Sequence, residues 1–138
     1  MPAEPLAVPG GPFRLFVYGT LMRGGPRHPA LAGQRFLGEV RTRPGYALFD
    51  LGDYPGLVRQ EAGGPPVRGE LYEVEAGLRP CLDEIEGAPA LFRLGPVDLE
   101  GCAGPAYAYF FQQSTRGLPL CPAGRWDNSR PQTWRSGP

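Results

Sequence analysis

The stretch "FRLFVYGTLMRGG", residues 13–25, opens as an apolar run and then breaks into Gly19, Thr20 and the pair Gly24–Gly25. An apolar run this short, closed by a turn signal, predicts a strand. The same punctuation recurs along the chain, around "RFLGEV" (35–40), "YALFDL" (46–51), "PGLVRQ" (55–60), "VRGELYEV" (67–74), "FRLGPVDL" (92–99) and "AYAYFF" (106–111). Glycine and proline supply 21 and 18 of the 138 residues, a content that on composition alone hints at disorder. They fall between the apolar runs instead, so they read as turns, and short strands joined by turns predict a curved sheet or a small mixed β-barrel.

Working outward from the strands, one segment has helical spacing. In "GLRPCLDEIEGAP" (77–89) Leu78, Leu82 and Ile85 fall at i, i+4 and i+7, Pro80 sits early enough for the first turn, and Gly87 with Pro89 stops the helix. A second, weaker helix covers "PALAG" around Leu31. Helices do not alternate with strands, which excludes a doubly wound sheet and leaves an α+β fold with one or two short flanking helices. The length fits one domain, expected over residues 13–125. Residues 1–12 and 126–138 lack periodicity and are expected to be flexible ends.

Composition narrows the chemistry. Formal net charge is zero and all 14 basic residues are arginines scattered along the chain, so neither nucleic acid nor a membrane surface is expected as partner. The absence of lysine removes Schiff-base catalysis and the P-loop lysine. Cys81, Cys102 and Cys121 are widely spaced and odd in number, and His28 is the only histidine, which argues against a disulfide framework and against a metal site. The first twelve residues carry no secretory pattern and no apolar run is long enough to span a bilayer, so a cytoplasmic protein is expected.

Two features could carry function. At about 100° per residue Glu86 lies near Leu82 on the edge of the helix's apolar face, whereas Asp83 flanks it and Glu84 points away. A carboxylate set against apolar walls becomes a proton carrier near neutral pH. The spacing fits an ordinary helix-end glutamate as well. The loop after the first strand can turn several peptide N–H groups toward one point and form an anion-binding nest, or it can be a plain tight turn. Tyr107 and Tyr109 alternate on the last strand and share one face, either lining a pocket or packing in the core.

Four words in order, "VYGTLMRGGPRH", "YALFDLGDYPGLV", "RGELYEV" and "LDEIEGAPALFRLGPVDL", resemble the γ-glutamylcyclotransferase-like family, and especially its short γ-glutamylamine cyclotransferase branch. The resemblance spans about Phe13 to Phe111. It implies a small β-barrel flanked by helices and an enzyme that needs neither metal nor cofactor. The implied reaction acts on a small-molecule γ-glutamyl substrate: the α-amine attacks its own γ-carbonyl, yielding 5-oxoproline and a free amine. It places substrate-binding backbone at Tyr18, Gly19, Thr20 and Leu21 and the acid/base carboxyl at Glu86; Tyr107 and Tyr109 are candidate substrate-binding residues from their strand alternation alone. His28 is expected to make a structural hydrogen bond, Arg23 to be solvated, and Asp50 and Tyr54 to shape a turn. Phe92 stands where the family often has tyrosine, and Arg93 after it is a candidate partner for a carboxylate. A non-catalytic binding module on the same fold and a glutathione-degrading relative are the alternatives. Neither the released amine nor the oligomeric state is legible.

Overall fold

The computed structural model describes residues 11–62 and 64–129; the expected flexible ends fall largely outside them, over 1–10 and 130–138. All seven apolar runs form strands: β1 (Phe13–Val17), β2 (Arg35–Arg41), β3 (Tyr46–Asp50), β4 (Pro55–Arg59), β5 (Arg68–Val74), β6 (Phe92–Pro96) and β7 (Tyr107–Phe111). They build one mixed sheet in the order β2-β5-β1-β7-β4-β3, with β6 antiparallel to β7. The neighbours β1 and β4 both run parallel to β7, meeting it at Leu15↔Tyr107 and at Leu57↔Phe110. The sheet therefore forks along β7, with β1 and β4 leaving it at different heights.

Strand alternation gives the sheet two apolar faces. Phe16, Ala108 and Phe110 join Leu48, Leu57, Cys121 and Trp126 on one. Leu15, Val17, Tyr107 and Tyr109 join Leu31, Tyr72, Leu82 and Phe92 on the other. Covering the second face is the single α-helix among the described residues, α1 (Arg79–Glu86), whose Leu82 is fully buried. Gly87 ends α1 in the left-handed conformation (φ 66°), with its N–H on the Asp83 and Glu84 carbonyls, a stop that favours glycine because it has no Cβ.

Three expectations need correction. The sheet is open rather than a closed barrel, and the outer edge of β3 is taken by residues 119–121: Asp50 N–H donates to Pro119 O and Cys121 N–H to Leu48 O. The "PALAG" helix is only a 3-10 turn over His28–Leu31, too proline-bound and short to propagate. The domain does not stop at 125 either, since Trp126 is 5% exposed and packs into the first face. No described helix is long and apolar enough to cross a membrane.

Candidate active site

The cleft opens where the sheet forks. Residues 16–21, at the end of β1 and the turn after it, form one wall, Tyr54 and Pro55 at the start of β4 a second, and Glu86, Phe92 and Tyr109 the floor and far side. About 400 Å³ of atom-free space lies between them, part of it open to solvent.

In the loop, acceptors are consumed and donors are kept. The Gly19 carbonyl accepts Met22 N–H at 3.0 Å, the Thr20 carbonyl accepts Arg27 N–H at 2.9 Å, and the Leu21 carbonyl meets His28 Nδ1 at 3.0 Å. The N–H groups of Gly19, Thr20 and Leu21 find no acceptor among the described residues. Buried peptide donors left in this state are expensive unless a ligand or water completes them. Glycine at 19 is a steric requirement: a Cβ there would stand 2.6 Å from Pro55 Cγ. His28 thus makes the structural hydrogen bond expected of it.

Glu86, the last residue of α1, lies across from that loop. Burial pushes its carboxyl up to about 7, against a smaller opposing pull from the Arg27 guanidinium. A carboxyl at that value exchanges its proton readily at neutral pH. Arg27 lines the cleft mouth, donates to Ile85 O at 3.2 Å and lies 5.7 Å from the Tyr54 ring centre.

Of the three cleft tyrosines, Tyr18 and Tyr109 have committed hydroxyls. Tyr18 Oη donates to Tyr109 O at 2.6 Å and accepts Leu57 N–H at 3.4 Å, bridging the fork where β1 and β4 part from β7. Burial, and then the Glu86 charge, raise its phenol well above the usual value. Tyr109 Oη donates to Asp83 Oδ1 at 2.6 Å, tying β7 to α1, and burial followed by that bond raises its phenol as well. Tyr107 does not reach the cleft. It sits edge-on to Phe13 at 6.2 Å in the second core, so only one of the paired strand tyrosines lines the site.

Other residues depart from expectation in informative ways. Arg23 is not simply solvated: its backbone N–H and Nε reach Glu70 Oε1 and Oε2 at 3.0 and 3.1 Å, and another nitrogen reaches Glu39 at 3.1 Å. Glu70, 7% exposed, also accepts Tyr72 Oη and so anchors the far side of the loop. It was findable, because it shares a strand face with Tyr72 and Val74. Asp50 caps its turn through Gly52 N–H at 2.8 Å, whereas Tyr54 adds a cleft wall that its turn motif did not announce. Phe92 packs edge-on to Tyr54 at 5.9 Å, and Arg93 makes no ion pair among the described residues. No cluster of metal-ligating side chains occurs among the described residues.

Residues 15–128 match the family model described as gamma-glutamyl cyclotransferase, AIG2-like. A putative gamma-glutamylcyclotransferase of Vibrio cholerae is 38% identical over 112 residues, 81% of this chain and 93% of that one. The gamma-glutamylaminecyclotransferase of Rattus norvegicus is 33% identical over 103 residues, covering 66% and 69%. Among solved structures, an uncharacterized protein from Pyrococcus horikoshii superposes with TM-score 0.67 at 32% identity over 82% of this chain and 88% of that one. An AIG2-like protein from Mus musculus reaches TM-score 0.76 over 88% and 92%, at 24% identity, a likeness of fold.

Proposed function

This chain belongs to the gamma-glutamyl cyclotransferase, AIG2-like family, and on that premise we propose that it cyclises γ-glutamyl amines to 5-oxoproline, with Glu86 as acid/base. The observation that carries the reading is the pairing of a carboxyl held near 7 with a loop whose carbonyls are bonded and whose N–H groups are open.

The loop N–H groups of residues 19–21 receive the substrate's α-carboxylate and fold the glutamyl chain so that its amine meets its γ-carbonyl. Pre-forming that contact offsets up to ~7–11 kcal/mol of barrier in well-oriented intramolecular reactions. Ionised Glu86 takes one proton from the α-ammonium as its nitrogen attacks the γ-carbonyl carbon, the new C–N bond forms and the carbonyl electrons move to oxygen. Tyr18 and Tyr109 spend their hydroxyls elsewhere, which leaves loop N–H groups and the Tyr54 hydroxyl on the second cleft wall as the donors available to that oxyanion. Collapse breaks the bond to the leaving nitrogen, which takes the proton back from Glu86. The α-nitrogen sheds its second surplus proton to water, and the lactam departs. Cys81, Cys102 and Cys121 form no disulfide among the described residues, which suits a cytoplasmic setting.

The test is formation of 5-oxoproline from a panel of γ-glutamyl amides. Glu86→Gln is expected to lower kcat/KM by ~10²–10⁴-fold. In the wild type kcat/KM should rise with pH to a plateau above about 7, because the base form of Glu86 is the ionised one. Turnover by the variant at the wild-type rate overturns the assignment of Glu86. Binding of 5-oxoproline without turnover of any amide would make the protein a binding module.

A further inference from the structure

The loop after β1 does not stand alone; residues 126–128 brace it. Asn128 Nδ2 donates to the Gly19 carbonyl at 3.0 Å, 109 residues away in sequence, while its Oδ1 accepts the Trp126 indole N–H at 3.1 Å. Indole can only donate and a carbonyl can only accept, so the two contacts fix which way the amide faces. Trp126 is itself buried in the first core, which makes the brace rigid.

The consequence for the loop follows from peptide planarity. In a trans peptide the C=O and the next N–H point in opposite directions. The Gly19 carbonyl is held by Asn128 on one side and by Met22 N–H, so it cannot swing into the cleft. The Thr20 N–H is thereby turned the other way, toward the cleft that Gly19 and Thr20 line. Were the peptide to flip, a carbonyl oxygen would replace a donor and repel any carboxylate.

We propose that Asn128 is a positioning residue for substrate binding, holding the Gly19–Thr20 peptide so that Thr20 N–H faces the substrate's α-carboxylate. The inference rests on the reading of the loop as the carboxylate site. It extends the functional unit to a segment that touches no substrate itself.

Asn128→Asp separates this role from simple support of Trp126. Aspartate still accepts the indole N–H, but it cannot donate to Gly19 O and sets a negative charge against it. KM is expected to rise ~10-fold with kcat changed less than about threefold, the signature of lost uniform binding. Affinity for 5-oxoproline should fall in parallel, while affinity for 2-pyrrolidinone, the same lactam without its carboxylate, stays level. Asn128→Ala should behave likewise. In the wild type, the Thr20 amide proton should shift downfield on titration with 5-oxoproline and not with 2-pyrrolidinone, a readout that needs no variant to fold. If Asn128→Asp keeps wild-type KM and lactam discrimination while Glu86→Gln abolishes turnover, the positioning role falls and the cyclotransferase reading stands. If the wild type neither turns over a γ-glutamyl amide nor binds 5-oxoproline, both fall together.

Discussion

Glu86→Gln should make the protein more stable as it makes it inactive, and the gain should depend on pH in a defined direction. The folded carboxyl titrates at about 7 against an ordinary value of 4.5, chiefly because burial disfavours its charge. Each pH unit between those values is worth ~1.4 kcal/mol, so full burial corresponds to about 3 kcal/mol. The residue keeps part of its surface in solvent at the cleft mouth, which reduces the expected effect to ~1–3 kcal/mol. Between 4.5 and 7 the unfolded chain binds fewer protons than the folded one, so wild-type stability falls as pH rises through that window. Glutamine has the same shape and no charge to bury, so the variant should follow the wild type below pH 4.5 and exceed it by the full amount above pH 7. Urea titrations of both proteins at pH 4.5, 6 and 8 measure the difference directly. A gap that is independent of pH, or that closes toward alkaline pH, refutes the argument that burial sets the Glu86 carboxyl.

Two further outcomes follow from the same geometry. Arg27→Met removes the one charge that pulls the Glu86 carboxyl downward, so the acidic limb of the kcat/KM profile should move to higher pH, lowering activity at pH 6 by roughly threefold; an unmoved limb counts against Arg27 as its electrostatic neighbour. Gly19→Ala drives a methyl against the Pro55 ring, at an expected cost of ~1–3 kcal/mol that shows as a lower Tm and a higher KM, and an unchanged pair of values refutes the tight approach of β1 to β4.

Local features were legible in the sequence because they depend on local physics. Each apolar run between glycines and prolines became a strand, and the helix around Leu82 stopped at Gly87 as its spacing required. The inward turn of Glu86 was readable from a 3.6-residue period alone. What escaped depended on contacts distant in sequence. The order of strands and the open sheet depend on which partner reaches each edge first, and at β3 that partner is residues 119–121. Tyr107 and Tyr109 share a face, yet β1 covers the first and the cleft takes the second, a distinction of about 7 Å along a strand that alternation cannot make. Trp126 and Asn128 sit in a stretch without periodicity, where a single buried indole and a single amide leave no pattern to find.

The position of β7 also governs how the chain can assemble as it is made. Remove β7 and the sheet separates into three pieces, β2-β5-β1, β4-β3 and a solitary β6. The strand that joins them begins only at Tyr107, so the pieces have nothing to dock on until that strand has left the ribosome. Pairings of this span are slow to form, because the entropy of closing long loops is spent before the contacts repay it. A nascent chain halted before residue 107 holds at most an antiparallel triplet and a hairpin, with unpaired central edges suited to aggregation. Since Tyr109 lies on that last strand, the cleft and the complete sheet come into being in the same event.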